Sequence, residues 1–163
     1  MKNKKLSQMG LLIALAFLLS YIEVLIPFPM IVPGMKVGLA NIVIIYAMYV
    51  FGMKEAIVLS ILRMVLVAFT FGNLYSLLYS LAGAVCSLLI MAILKRTEKF
   101  SAIGVSLSGA VMHNVGQIFV AIIVIDTVNL IYILPILALT GIATGIVIGT
   151  LATILIKQLS KIE

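Results

Sequence analysis

The sequence has one cysteine, one histidine and one aspartate, and only 10% of its 163 residues are charged. Each shortage excludes something. A single thiol, Cys86, permits no intrachain disulfide, and its apolar surroundings fit a buried, inert side chain. A lone His113, with no cysteine partner beyond Cys86, rules out a histidine-clustered metal site, so no metal is expected. A lone Asp126 rules out aspartate-rich Mg²⁺–diphosphate chemistry as an activity of this chain alone. There is no P-loop and no G-x-S-x-G turn, and no cofactor is expected. Proline is scarce too. Three of the four prolines, Pro27, Pro29 and Pro33, fall in one stretch, which therefore cannot be a single regular helix. The shortage of charge excludes most soluble domains, in which about a quarter of residues are charged.

What is present is apolar. The chain is 64% hydrophobic, with a mean hydropathy of +1.35. The apolar runs are near-continuous rather than alternating, which points to membrane helices and not to a β-barrel. A spanning helix needs about 20 residues, so six spans with short loops would use nearly the whole chain. The segments fall at about residues 7–26, 37–51, 54–71, 74–94, 101–125 and 130–159. The second is short for a full span. The first follows Lys2, Lys4 and Lys5 as a signal peptide would. It is longer than a signal core and lacks a small-residue cleavage site, so it reads as a retained helix. The expectation is an all-α, polytopic, single-domain bundle.

The net charge of +6 invites a nucleic-acid reading, but the basic residues sit at the ends of apolar spans, which is a topology signal instead. With the N-terminus inside, Lys2, Lys4, Lys5, Lys54, Lys95, Arg96, Lys99, Lys157 and Lys161 fall on the cytoplasmic side. Only Lys36 falls outside, and Arg63 lies within a span. The expected topology is N-in and C-in.

Polar groups inside apolar spans are costly and mark sites or helix ties. Arg63 is the sharpest, an anion or carbonyl site, or else a tie to backbone carbonyls. His113 and Gln117 are four apart on one face, with Asn114 close to it. They are either ligand-binding or interhelical glue. Lys36 and Asn41 carry a cation and then an amide from the proline stretch into the second segment. Glu23 and Lys36 flank that stretch. They pair at the interface, or Glu23 answers a group on a ligand. Gly10 and Ala14 give the first helix a small face. Gly141, Gly145 and Gly149, at spacing four, form a packing strip.

Three stretches carry a resemblance: Pro33-Gly34-Met35-Lys36-Val37-Gly38-Leu39-Ala40-Asn41-Ile42, Leu81-Ala82-Gly83-Ala84, and Gly109 through Gln117. Together they resemble the bacterial Gx transporter family over nearly the whole chain. Members of that family are often labelled heptaprenyl diphosphate synthase component I. More remotely, the family is similar to the substrate-binding S components of energy-coupling-factor vitamin transporters. Those are six-helix proteins with an outward-facing pocket, a lid after helix 1, and small residues on helix 1 that dock on a transmembrane T component driven by ATPases. The resemblance implies a substrate-binding uptake subunit in the bacterial cytoplasmic membrane. Its ligand site would use Glu23, Lys36, Asn41, Arg63, His113, Asn114 and Gln117, and its docking face Ser7, Gly10 and Ala14. The alternative is a non-catalytic membrane subunit of an isoprenoid or quinone enzyme. An enzyme in its own right would need His113 to meet Glu23 or Arg63 in a reactive cluster, and the chain is not read as one. The expected partners are the lipid bilayer, a small-molecule ligand and an energy-coupling module.

Overall fold

The computed structural model describes residues 2–25 and 38–159. Pro27, Pro29, Pro33 and Lys36 lie outside the described residues. Within them the chain forms six α-helices: α1 Lys2–Leu25, α2 Asn41–Val50, α3 Met53–Thr70, α4 Leu74–Arg96, α5 Ala102–Ile125 and α6 Leu134–Leu159. A 3₁₀ stretch, Val128–Ile133, leads into α6.

The breaks follow local chemistry. Gly52 takes φ 118°, a conformation that side chains with a Cβ rarely adopt, and it turns α2 into α3 within two residues. Asn73 caps α4 through a reciprocal pair: its Oδ1 accepts from the Ser76 N–H at 2.8 Å, and its own N–H donates to Ser76 Oγ at 3.1 Å. Ser101 caps α5 by accepting from the Gly104 N–H at 3.3 Å. Asp126 closes α5 in the left-handed conformation.

Three boundaries differ from the sequence expectation by four residues or more. The first helix begins at Lys2, not near residue 7. The second helix begins at Asn41, not near residue 37. Gly38 takes φ 85°, and its carbonyl accepts from the Asn41 N–H at 2.8 Å in a turn. The last α-helix begins at Leu134, because the residues from Val128 wind as 3₁₀. Pro135 then falls in the first turn of α6, where its missing N–H costs nothing.

Among the described residues, four stretches are long and apolar enough to cross a membrane: Asn3–Leu25, Leu74–Arg96, Ala102–Ile125 and Val128–Leu159. The ten residues of α2 rise only about 15 Å, and α3 carries Lys54, Glu55 and Arg63 among its 18 residues. Leu6, Leu11, Leu89, Phe119, Ile123 and Leu139 are 61–75% exposed on different helices. So much outward apolar surface fits lipid, and the chain is a membrane protein.

The short α2 is the centre of the core. Ile42, Val43, Ile44, Ile45, Ala47 and Met48 are all buried, as expected of a helix that is apolar all round. It packs against α1, α3 and α6. On the other side α4, α5 and α6 pack closely through glycines. A Cβ on Gly116 would stand 2.7 Å from the Ala82 carbonyl oxygen, and one on Gly145 would stand 2.6 Å from Leu107 Cα. At one end of the bundle Lys5 pairs with Glu55, and Lys95 donates to the Met48 carbonyl and lies 4.8 Å from the centre of the Tyr49 ring. The starts of α1 and α3 and the ends of α2 and α4 therefore meet there.

Candidate functional site

Arg63 lies about 15 Å along α3, near the middle of the bundle. Its Nη1 donates to Ser20 Oγ at 3.4 Å, a long bond. Ser20 is held in place by donating to the carbonyl of Ala16 at 2.9 Å. Glu23, one turn further along α1, is 4% exposed and lies close enough to act electrostatically on Arg63. Its Oε1 accepts from the Gly38 N–H, which ties the end of α1 to the start of α2. Glu23 is thus buried rather than interfacial. The helix places Ser20 and Glu23 on one face, because residues three apart are neighbours.

The other side of Arg63 faces a small cavity. Polar groups reach it from Asn41 on α2, Ser60 and Arg63 on α3, Ser87 on α4, and Ser106 and His113 on α5. Ile148 of α6 also lines it. Its free space is about 20 Å³, room for about one water. Ser60, Ser87 and Ser106 are each under 9% exposed. Ser106 Oγ donates to the Gly145 carbonyl at 2.8 Å, so its lone pairs stay available as acceptors. The Arg63 Nε–H is buried and has no hydrogen-bond partner among the described residues. In an apolar protein interior a cation's donor left in that way is costly.

His113 reaches this centre because Gly83 makes room. A Cβ there would stand 2.8 Å from the His113 carbonyl oxygen and 2.9 Å from two ring carbons. Gly109 does the same for α4, where a Cβ would stand 2.7 Å from Met91.

The seven residues expected to bind ligand therefore divide. Asn41, Arg63 and His113 come together at the cavity, and Glu23 stands behind Arg63. Asn114 faces α6 instead, where its Nδ2 donates to the Leu137 carbonyl at 2.7 Å. Gln117 lies one turn beyond His113, outside the cavity lining. Lys36 lies outside the described residues. Gly141, Gly145 and Gly149 all face α5, against Asn114, Leu107 and Ile103. Ser7, Gly10 and Ala14 are exposed on α1, with nothing within 4 Å of a Cβ at Gly10.

Sequence reasoning missed the serines. Ser20, Ser60, Ser87 and Ser106 each stand in an apolar helix and supply hydroxyls around the guanidinium or the cavity. The available signal was the spacing, since Ser60 precedes Arg63 and Ser20 precedes Glu23 by three residues, the interval that shares a helix face.

A family model described as heptaprenyl diphosphate synthase component I matches residues 12–155. No curated protein and no solved structure matches the chain.

Proposed function

Because the chain belongs to the heptaprenyl diphosphate synthase component I family, we propose that it is a membrane subunit that binds a small molecule at the Arg63 cavity. It crosses the bacterial cytoplasmic membrane six times with both termini inside, in the manner of a substrate-binding S component. The observation that carries the reading is the Arg63 Nε–H, buried and without an acceptor among the described residues, beside a cavity with polar groups from four helices. A guanidinium in a membrane helix faces the bundle interior and finds a partner, and here part of that partnership is unmet. The topology is supported by the basic residues that gather at one end of the bundle, Lys5 and Lys95 among them. Ser7, Gly10 and Ala14 leave an open small face on α1 for an energy-coupling partner.

The cavity admits one small group, so a larger ligand enters by parting helices. The helices that part are α1 and α3, because α4, α5 and α6 meet through glycine-to-backbone contacts that have no slack and α2 packs on α6 as well.

The test is a thermal-unfolding screen of the detergent-purified protein beside Arg63→Ala. The panel holds vitamins, flavins, naphthoate-type quinone precursors and prenyl diphosphates. A ligand at a hundred times its Kd stabilises the native state by about 2.7 kcal/mol. A rise with one compound that disappears in the variant is expected. A compound that stabilises parent and variant equally would place binding elsewhere.

The family description favours a second reading, a non-catalytic subunit that holds a synthase partner at the membrane. Its contact surface would be the exposed Arg96 and Lys99 at the α4–α5 turn. That reading expects a soluble prenyl-synthase chain to co-purify from the native membrane, and its retention to fall when Arg96 and Lys99 are reversed to glutamate.

A further inference from the structure

The geometry points to a single negatively charged acceptor, a carboxylate or an ion of halide size, as the group that Arg63 receives, and to competition between that group and Glu23 of α1 for the guanidinium. This rests on the cavity being a ligand site and names the chemistry it takes.

Arg63 stands between two environments. On one side α1 presents Ser20 and Glu23, both almost fully buried. On the other is the cavity, to which α1 contributes no lining residue. The guanidinium offers five N–H groups in a fixed fork. One goes to Ser20 at the long distance of 3.4 Å, and Nε–H meets no acceptor among the described residues. What Nε–H lacks is an acceptor. Of the cavity neighbours, the Asn41 amide and the Ser60 and Ser87 hydroxyls are groups that can donate to an anion, while Ser106 gives its one O–H to the Gly145 carbonyl, and none of them carries a fixed charge to repel an anion. About 20 Å³ suits one atom or the head of a carboxylate rather than a diphosphate.

An anion drawn to Nε–H shares the guanidinium's charge with Glu23. Each weakens the other's hold, because one cation cannot fully satisfy two carboxylates. Glu23 also holds the Gly38 N–H. Filling the cavity therefore loosens the tie that fastens the end of α1 to the start of α2. The site and the outer end of α1 are linked, and by reciprocity whatever pulls on α1 alters anion affinity.

The experiment uses the full chain in detergent, with sodium formate and sodium bromide as probes and sodium gluconate, too large for the cavity, as the control at equal ionic strength. Formate and bromide are expected to raise the unfolding temperature of the parent above its value in gluconate, and Arg63→Gln is expected to abolish the difference. Glu23→Gln keeps an oxygen for the Gly38 N–H and removes only the charge. It is expected to tighten apparent formate affinity by about tenfold, the low end for close charge pairs. Hydrogen exchange in the parent tests the same link without a variant. Amides at residues 20–25 are expected to exchange faster in formate than in gluconate.

Formate and bromide that act like gluconate on the parent would overturn the anion assignment. If a neutral panel compound still gave an Arg63-dependent rise, the binding-subunit reading would stand while the anion failed. Unchanged formate affinity in Glu23→Gln, or unchanged exchange at residues 20–25, would overturn the competition.

Discussion

At the scale of the residue, the sequence made some groups conspicuous and hid others. Arg63 was legible because a guanidinium has no cheap place in an apolar helix. The four serines were not, because a serine in such a helix commonly satisfies itself on the carbonyl four residues back, as Ser20 does with Ala16. Only the fold shows that the same oxygen also receives Arg63. Asn114 was legible as a polar group in need of a partner, but its choice of the Leu137 carbonyl over the cavity depends on the rotation of α5 against α6. Ser20→Ala removes the acceptor of Arg63 Nη1 and leaves a buried charged donor short of a partner. The expected loss is about 1–3 kcal/mol of stability, read as a lower unfolding temperature in detergent. An unchanged temperature would mean that the 3.4 Å contact carries no energy.

At the scale of the element, the five long helices were readable from apolar length, and their ends from Gly52, Asn73, Ser101 and Asp126. The extent of α2 was not. Leu39 and Ala40 are as apolar as a helix requires, and they form a turn that follows the positive φ of Gly38. The 3₁₀ lead into α6 was equally hidden, since 3₁₀ and α turns draw on the same residues. The glycines separate by what lies beside them. Gly145→Ala pushes a methyl to 2.6 Å from Leu107 Cα and is expected to cost about 1–3 kcal/mol through overpacking. Gly10→Ala meets nothing within 4 Å and is expected to hold or raise stability, by up to about 1 kcal/mol from helix propensity. Thermal unfolding of the two variants side by side checks the contrast. Equal destabilisation would show that α1 is not open where the structure leaves it open.

At the scale of the whole molecule, composition alone established an all-helical membrane chain. Among the described residues, four helical stretches meet the length and apolarity needed to span. The six crossings are an inference from apolar length, and the N-in and C-in orientation is one from charge. It has a direct check in a Cys86→Ser background, with single cysteines at Asp126 and Lys99. An impermeant thiol reagent added to intact cells is expected to label residue 126 and to spare residue 99 until the membrane is opened. The reverse pattern would invert the topology and put the open face of α1 on the wrong side for an inner coupling partner.

The central claim is that Arg63 presents an unmet Nε–H to a ligand, and the chain suits its measurement because it contains only two arginines, Arg63 and Arg96. Nuclear magnetic resonance of protein labelled with ¹⁵N at arginine Nε should give two signals. Arg96 is exposed at the end of α4, so one signal should exchange rapidly with water. The other, lost in Arg63→Gln, is expected to be protected and to move on addition of formate or of a compound that raises the unfolding temperature. A buried signal that stays fixed while such a compound binds would contradict the account, because the guanidinium would then be a structural tie and the ligand, wherever it sits, would not be held by it.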